Sequence, residues 1–451
     1  MDDLSDRLNT IEVLSKTQDS TETQLQSLMK LSESDPLSAH SKLLDFIKSN
    51  SDNHTGYFAL SGCLYLLGRY FDAMFNYKKG MDILESNYVI SNSDLFKVRF
   101  ISSRWAPGHI GHAGALEYIV KGQKLEIISD ERRVVVIDPK WGVNLSHLKY
   151  FEKFLDIRIL RSDQVKLLTE LSSVNQEHLS IIKMRDSFVN YYSAANSIQL
   201  KWEELSFDSL LSLSEEDQEY GLKCLKILGL SNNDWFVALH VRTGDNRRHR
   251  SAPNADIETY REAVNEIIKR GGWIIRMGHK GMKPFGGHPR IIDYANSDFK
   301  NSRMDVYLWA SCKFMIGTSS GPLIIPTSFG RPVIHSNAPA IGLTVMQPRG
   351  IMLPKLYWSN RKNRLFTFQE LFNNPLGYSV SSALPGLDYE IIDNSPTDLK
   401  SSVIEMFEMI ESKSFNLSQN QEYFSSLQQL NGSTSRSFIS DSFLKQYPQL
   451  Y

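Results

Sequence analysis

The sequence predicts an α/β protein with two parallel-sheet units that follow an N-terminal helical segment. Two stretches of the chain alternate short apolar, β-branched runs with amphipathic helices. This pattern is typical of parallel strands that helices cover on both faces. In a stretch near the N-terminus, large and small apolar residues instead recur at the spacing that is typical of paired helices. The 451 residues suffice for about three structural units at roughly 150 residues each.

The composition is that of an ordinary globular chain. Apolar residues make up 41% and charged residues 22%, and the net charge of −1 gives no support for a nucleic-acid binder. Cys63, Cys224 and Cys312 are too few and too scattered for a disulfide framework or a zinc site, which favours a reducing compartment. The acidic start is unlike a secretory signal, and no apolar run reaches the roughly 20 residues of a membrane span. We therefore expect a cytoplasmic protein, either free or peripheral at the inner face of the membrane.

The first 90 residues predict a leader followed by helices. Residues 1–34 are polar and predict a leader that is either mobile or helical. Residues 35–90 predict a tetratricopeptide-like helical segment, in which Gly68 permits a tight turn and small Ala73 lets a second helix approach. The matching positions are Tyr57, Leu60, Leu64, Gly68, Tyr70, Ala73 and Tyr77. Such a segment is either a helical hairpin packed on the next domain or a groove for a protein partner.

Two Rossmann-like domains are expected next, at residues 91–228 and 229–345. The strands of the first are LFKVRFIS, RRVVVID and LDIRIL, with a Gly-rich loop at WAPGHIGHAG and helices at ALEYIVKGQ and SEEDQEYGLKCLKILG. The strands of the second are DWFVALHV, GGWIIRMG, PRIIDYA, CKFMIG and RPVIHS, with helices at ADIETYREAVNEIIKR and SRMDVYLWAS. Residues 346–451 predict a helical and irregular extension across both domains. Ligands of such sheets bind at the carboxyl ends of the strands.

The segment WFVALHVRTGDNRRHR is the most informative. A buried strand ends at His240 and Arg242 and turns toward Asp245. The planar guanidinium of Arg242 could bind a diphosphate at two points, which a Lys cannot do. The alternatives are an Arg242–Asp245 pair that stabilises the turn and a His240 that belongs to the core.

A second constellation follows the strand CKFMIG. Its small and hydroxyl-bearing residues would let the backbone approach a phosphate, with an apolar helix supplying free N–H groups at its N-terminus. These residues are Gly317, Thr318, Ser319, Ser320 and Gly321. The alternative is an ordinary helix cap.

Three further residues are candidate contacts for the same ligand. Arg276 and Gly278 end the next strand, where the guanidinium would be a second phosphate contact or a salt-bridged surface group. Asp305, at the start of a helix, would hydrogen-bond a sugar or base, or simply favour the helix N-terminus.

The Gly-rich loop of the first domain is a candidate catalytic loop, which would face the ligand across the crevice. It contains Gly108, His109, Gly111 and His112, and either histidine could act as a general base. Asp245 is the other candidate base. No Cys or carboxylate accompanies the two histidines locally, so we expect no metal site. The basic run at 247–250 would either hold an acidic group or lie in solvent.

These motifs resemble known glycosyltransferases. His240-x-Arg242-x-x-Asp245 resembles the His-x-Arg-Arg-x-Asp motif of GDP-fucose-dependent fucosyltransferases of the GT-B architecture, whose first Arg contacts the donor diphosphate. Thr243 stands at the second Arg, so GDP-fucose specificity does not follow. Residues 95–410 resemble a bacterial family assigned as glycosyltransferases and often fused to tetratricopeptide-like helices. The shared segments are GHIGHAG, ALHVRTGD, GGWIIRMG, IIDYANS, MDVYLWASCKFMIGTSSG and IPTSFGRPVIHSN.

The resemblance implies a GT-B glycosyltransferase whose second domain binds the donor and whose first domain binds the acceptor. The donor would be a GDP-, UDP- or similar nucleotide sugar, and the acceptor a polysaccharide, lipid-linked saccharide or protein. The resemblance also favours inversion at the anomeric carbon. The chain contains no Asp-x-Asp pair, which predicts a metal-independent reaction without a cofactor. The alternatives are a non-catalytic binding protein with a vestigial nucleotide-sugar fold and a GT-B nucleotide-sugar epimerase.

Overall fold

The chain divides into two compact units. The computed structural model describes residues 19–67, 69–92, 98–102, 110–165, 181–184, 187–243, 253–342, 350–378, 388–412, 417–430 and 438–451. The first unit takes in the described parts of Met1–Gly108, Ser129–Val143 and Phe154–Phe188. The second unit takes in those of His109–Ile128, Asn144–Lys153 and Val189–Tyr451.

The first unit begins with four helices. These are α1 (Asp19–Ser34), α2 (Pro36–Ser49), α3 (His54–Leu66) and α4 (Tyr70–Asn92). Asp35 caps α2 and Asn53 caps α3, each through a side-chain oxygen that accepts from a backbone N–H. A Cβ on Gly56 would lie 2.9 Å from the Phe46 ring, so this glycine allows α3 to pack closely on α2. The predicted helical character of 35–90 is confirmed for the described residues, and the tetratricopeptide assignment stays a prediction. Gly68, at which a tight turn was predicted, lies outside the described residues.

The first unit also contains a parallel sheet. Its strands, in the order β1-β2-β3, are β1 (Val98–Ser102), β2 (Arg132–Ile137) and β3 (Asp156–Ile159). Phe100, Val134 and Val136 are buried in a common apolar cluster. Two short strands, β4 (Ile181–Met184) and β5 (Ser187–Asn190), form a separate pair. The three strands predicted for this part of the chain are confirmed.

A seven-stranded sheet forms the centre of the second unit within the described residues. Its order is β15-β11-β10-β9-β6-β7-β8, and every strand pair is parallel. The strands are β6 (Phe236–His240), β7 (Trp273–Arg276), β8 (Ile291–Ile292), β9 (Met315–Gly317), β10 (Val333–Ala338), β11 (Ile351–Pro354) and β15 (Phe438–Ile439). β6 is buried throughout, as a central strand of apolar residues should be.

Helices and a small antiparallel sheet complete the second unit. The helices are α5 (Ile110–Lys124), α6 (Leu145–Leu148), α7 (Tyr191–Glu204), α8 (Glu215–Ile227), α9 (Arg261–Lys269), α10 (Ser302–Ser311), α11 (Ile325–Ser328), α12 (Phe368–Phe372), α13 (Pro396–Glu411), α14 (Gln419–Leu430) and α15 (Asp441–Gln446). Short 3-10 turns lie at Lys149–Phe151, Ile257–Tyr260, Tyr294–Asn296, Gly321–Ile324, Pro375–Tyr378 and Pro448–Leu450. The small sheet, in the order β13-β12-β14, joins β12 (Leu356–Ser359), β13 (Arg364–Leu365) and β14 (Tyr389–Ile392).

The α/β class and the parallel sheets are confirmed, but the division of the chain differs from the prediction at 228/229. α5, α7 and α8 all belong to the second unit. The described part of 346–451 also belongs to this unit, where it supplies β11 and β15 to the large sheet. Neither of these two strands, of four and two residues, was predicted from the sequence.

Two local features also differ from the prediction. α5 begins at Ile110, so the end of the predicted Gly-rich loop is helical. The predicted apolar helix after β9 is a 3-10 turn followed by the four-residue α11. Pro326 lacks an N–H donor, so a continuous α-helix from Gly321 would lose a hydrogen bond at that position. No helix in the described part of the chain is long and apolar enough to cross a bilayer.

Candidate active site at the switch point of the large sheet

The strand order places a switch point between β6 and β9. From β6 the chain adds β7 and β8 on one side, then returns to add β9 and the later strands on the other side. Helical connections that leave on opposite faces at such a point open a crevice at the carboxyl ends of the two strands, where α/β proteins bind ligands. The predicted His240–Arg242 segment and the predicted 317–321 turn follow these two strands. The structure therefore brings the two strongest sequence candidates together.

Backbone hydrogen bonds fix the two strand ends to each other. The Thr318 N–H donates to the His240 carbonyl oxygen (3.1 Å), and the Arg242 N–H donates to Thr318 Oγ1 (2.9 Å). The Ala255 N–H donates to the Arg242 carbonyl oxygen (3.0 Å). Both backbone polar groups of Arg242 are thereby satisfied by residues from other segments, so its position is well determined.

The side chain of Arg242 is exposed and makes no ion pair within the described residues. Its guanidinium is thus free to bind an anion at the crevice. Asp245, its predicted alternative partner, lies outside the described residues, as does the basic run 247–250. The choice between a diphosphate ligand and a turn-stabilising pair stays open at this residue.

The hydroxyls of the 317–321 turn have different environments. Thr318 is fully buried and its Oγ1 accepts a hydrogen bond from the Arg242 backbone N–H, so this hydroxyl is not exposed to the crevice. Ser319 is half-buried and shares a hydrogen bond of 2.6 Å with His335 Nε2. Ser320 is half-buried at the start of the 3-10 turn and makes no side-chain capping bond. Ser319 and Ser320 are therefore the hydroxyls placed to meet a ligand.

α5 packs directly behind this turn. A Cβ on Gly111 would lie 2.5 Å from the Gly321 Cα, and a Cβ on Gly321 would lie 2.6 Å from the Gly111 nitrogen. A Cβ on Gly114 would lie 2.0 Å from Ile324 Cγ2. These glycines let two backbones touch, so the predicted acceptor-side Gly111 contacts the predicted donor turn. His112 lies in the first turn of α5.

The remaining acceptor-side predictions stay untested. Gly108 and His109 lie outside the described residues, and only the backbone of His112 is described. The choice among His109, His112 and Asp245 as general base therefore stays a prediction.

His240 is 9% exposed at the end of β6, and its Nδ1 has no hydrogen-bond partner within the described part of the chain. Burial lowers the pKa of His240 to about 4, and the positive charge of Arg276 acts in the same direction. The imidazole is therefore neutral at physiological pH. The unsatisfied nitrogen argues against a hydrogen-bonded core histidine and leaves a polar group available beside the crevice.

Arg276 differs from its prediction. Its side chain is fully buried at the end of β7, where Nη1 lies 3.4 Å from Asp293 and Nη2 donates to the Lys283 carbonyl oxygen (3.2 Å). Burial also lowers its pKa. It is not a surface group: its two Nη atoms contact Lys283, in the loop between β7 and β8, and Asp293, which follows β8.

Gly278 and Asp305 also have structural roles. Gly278 has φ of +155°, and a Cβ there would lie 2.5 Å from Met282 Sδ, so the position favours glycine. Asp305 lies in the first turn of α10 and pairs with Lys300 at 2.5 Å. Its carboxylate is already engaged, which favours the helix-terminus alternative over a free sugar or base contact.

The structure adds a buried polar network that the sequence analysis missed. Ser336 donates to the Gly317 carbonyl oxygen (3.1 Å) and bonds the Tyr260 hydroxyl (2.7 Å), to which Asn337 Nδ2 donates (3.0 Å). Asn394 Oδ1 accepts from the Asn337 backbone N–H (2.6 Å), and Asn337 Oδ1 accepts from the Asn394 backbone N–H (2.8 Å). This network fixes the carboxyl ends of β9 and β10 relative to each other.

Lys355 is a second missed residue. Its buried Nζ donates to the Asn254 carbonyl oxygen (2.7 Å) and to Asp393 (2.6 Å), and burial lowers its pKa. Asn254 precedes Ala255, whose N–H holds the Arg242 backbone. The sequence did contain a signal for Asn337 and Lys355. Each ends an apolar run, RPVIHSN or IMLPK, and ligands of parallel sheets bind at the carboxyl ends of the strands.

No group of three or more His, Cys, Asp or Glu side chains in the described ranges is placed to hold a metal ion. The cationic and hydroxyl groups at the switch point are instead suited to an anion.

No protein-family model and no curated protein matches the sequence. Solved structures of glycosyltransferases do match. A family 9 glycosyl transferase from Veillonella parvula DSM 2008 is 12% identical with a TM-score of 0.43, over 70% of this chain and 98% of that one. The E. coli ADP-heptose LPS heptosyltransferase II is 12% identical with a TM-score of 0.40, over 70% and 100%. The wall teichoic acid polymerase TagF is 10% identical with a TM-score of 0.30, over 88% and 97%.

At these identities and TM-scores the likeness assigns no family, reaction or substrate to the chain. The resemblance to fucosyltransferases and the fusion to a tetratricopeptide segment stay predictions.

Proposed function

We propose that the chain is a glycosyltransferase of the GT-B type that binds a nucleotide-diphosphate sugar at the switch point between β6 and β9. The observation that carries the proposal is the meeting of the exposed Arg242 with the Ser319 and Ser320 turn at this point. A guanidinium and two hydroxyls supply donors to a diphosphate, whose oxygens only accept. The sequence resemblance of residues 95–410 supports the same substrate class.

The proposed role of Arg242 is to stabilise the leaving group. As the glycosidic bond breaks, negative charge grows on the nucleoside diphosphate. A positioned guanidinium then binds the transition state more strongly than the donor, which lowers the barrier. The buried contacts of its backbone with Thr318 and Ala255 keep the group in place without using its side chain.

The acceptor is proposed to be a polysaccharide, a lipid-linked saccharide or a protein. A base among His109, His112 and Asp245 would remove the proton of its hydroxyl while the sugar transfers with inversion in a single displacement. The N-terminal helices are proposed to bind a protein partner, and exposed apolar side chains there, Leu37 at 74% and Phe75 at 69%, are compatible with this role. The proposed location is the cytoplasm or the inner face of the membrane.

A nucleotide panel tests the proposed function. We expect GDP, UDP, CDP or ADP, or one of their sugar conjugates, to raise the melting temperature of the full chain. A ligand at a hundredfold excess over its Kd stabilises the folded state by about 2.7 kcal/mol. Sugar nucleotides should include ADP-heptose, the donor named for one of the matched structures.

Calorimetry on the same panel, followed by assays with and without acceptor glycans, distinguishes the alternatives. Conversion of the sugar nucleotide without an acceptor would indicate an epimerase, and binding without any conversion would indicate a non-catalytic protein. The absence of binding across the whole panel would contradict the proposed donor site.

We also predict that the reaction is independent of metal ions, because the chain lacks the Asp-x-Asp pair that holds a divalent ion against the donor in GT-A enzymes. Turnover should be unchanged by excess EDTA. Loss of turnover in EDTA that Mg²⁺ or Mn²⁺ restores would contradict the prediction. Nucleotide binding measured in the same EDTA buffer shows whether any loss arises in binding or in the reaction.

A further inference from the structure

The hydrogen bond between Ser319 and His335 lies at the proposed donor site and has no role in the fold's regular structure. His335 is on β10, directly opposite Gly317 of β9, and Ser319 follows β9 by two residues. Ser319 Oγ and His335 Nε2 are 2.6 Å apart. The adjacent Thr318 holds the Arg242 backbone, so this pair and Arg242 are fixed to the same turn.

The direction of this hydrogen bond decides what Ser319 can offer a ligand. A serine hydroxyl has one O–H donor and two acceptor lone pairs, and a neutral imidazole has one N–H. If Ser319 donates to His335, only lone pairs face the crevice, and these repel a phosphate oxygen. If the His335 N–H donates to Ser319, the serine O–H is left free to donate. A diphosphate therefore requires the proton on Nε2.

The environment of His335 supports a neutral ring. Burial lowers the pKa of this histidine to about 4, so it carries a single N–H at physiological pH. The neighbouring Ser336 is bound to the Gly317 carbonyl and to Tyr260, which fixes the end of β10 on which His335 lies. The backbone that carries the imidazole is thus fixed to β9 and to Tyr260.

We propose that His335 is a positioning residue that donates from Nε2 to Ser319 Oγ and so directs the Ser319 O–H to a phosphate oxygen of the nucleoside diphosphate. This inference rests on the proposed function, since it concerns the same ligand. Ser320, the next hydroxyl, has no such partner among the described side chains, and we expect it to act independently of His335.

The test is a double-mutant cycle on the affinity for nucleoside diphosphates. ADP, GDP and UDP are titrated separately into the full chain by calorimetry, with Ser319→Ala, His335→Met and the double variant. A hydrogen bond to a charged group predicts that Ser319→Ala weakens binding by about 10-fold or more. His335→Met should weaken binding severalfold in the wild-type background and by less than about twofold in the Ser319→Ala background, because residues that act through one another are not additive.

Two matched variants separate positioning from packing. Met and Gln both occupy the volume of the imidazole, but only the Gln amide places an N–H donor near the position of Nε2. His335→Gln should therefore recover most of the affinity that His335→Met loses. Ser320→Ala, combined with His335→Met, should show additive losses.

The outcomes distinguish the inference from the function. If the wild type binds ADP, GDP or UDP but the Ser319 and His335 effects add, or His335→Gln binds as weakly as His335→Met, the inference is overturned and the proposed function stands. If the wild type binds none of the three, the proposed donor site fails and the inference fails with it. Melting temperatures of all variants identify any loss of affinity that arises from unfolding.

Discussion

Replacing Arg242 with Ala should lower turnover by about 100-fold or more, the scale of losing one preorganised group that stabilises developing negative charge. The effect should fall mainly on turnover and less on donor affinity, because the charge on the diphosphate is greatest in the transition state. Arg242→Lys should recover little, since an ammonium cannot make the planar two-point contact. Steady-state kinetics on both variants, with the donor identified by the nucleotide panel, measures the effect.

The fold should tolerate both changes. Arg242 is exposed and its structural bonds are made by its backbone, which the substitutions leave in place. Arg361→Ala is a matched control, because Arg361 is also an exposed arginine of the second unit and makes no ion pair within the described residues. Normal turnover in Arg242→Ala would show that the donor site has been misplaced. A large fall in melting temperature in both variants would show that the side chain supports the turn.

Elements whose signals are local were predicted well from the sequence. α10 has the bounds that its sequence predicts, with Asn301 as its cap and neither Gly nor Pro within it. β6 was predicted because its apolar residues form a continuous run, which is typical of a strand that is buried on both faces, as β6 is. α13 also has a local signal at its start, where Ser395 and Asp398 form a capping box. In each case the information lies within a few residues of the element itself.

The start of α5 shows why other elements were missed. Gly111 and Gly114 disfavour a helix by about 1 kcal/mol each in isolation. Gly111 and Gly114 nevertheless lie within α5. Glycine is needed at both positions because Gly321 and Ile324, about two hundred residues away in the chain, occupy the space that side chains would need. A tertiary contact overrides the low helix propensity of glycine, and this contact cannot be predicted from the sequence around residue 110.

The candidate site was predictable in position but not in detail. The expectation that ligands bind at the carboxyl ends of the strands located Arg242, Arg276 and the 317–321 turn. It does not predict the direction in which a side chain points. Arg276 is fully buried and pairs with Asp293, which directly follows β8. The hydrogen bond between Ser319 and His335 depends on β10 lying beside β9. The order of the strands in the sheet cannot be predicted from the sequence of either strand.

A buried ion pair behind the site has the largest expected effect on stability. Glu117 and Lys121, on α5, are each 2% exposed at the side chain and lie 2.5 Å apart. Lys121 also donates to Gln199 on α7 (2.8 Å), and Ser328 of α11 donates to the Glu117 carboxylate. The pair therefore joins α5 to the segment that follows the Ser319 turn. Because both charges are buried, neither can be solvated by water if its partner is removed.

Lys121→Met should lower the free energy of unfolding by about 3–5 kcal/mol, the usual cost of leaving one charge of a buried pair without its partner. Glu117→Leu combined with Lys121→Met removes both charges and should lose less stability than Lys121→Met alone, although Gln199 and Ser328 then lack a bond each. Lys201→Met is the control, since its pair with Glu204 is about half exposed and should contribute less than about 1 kcal/mol. Urea unfolding followed by tryptophan fluorescence measures all three. A Lys121→Met variant as stable as the control, or a double variant less stable than Lys121→Met, would show that the two charges do not depend on each other.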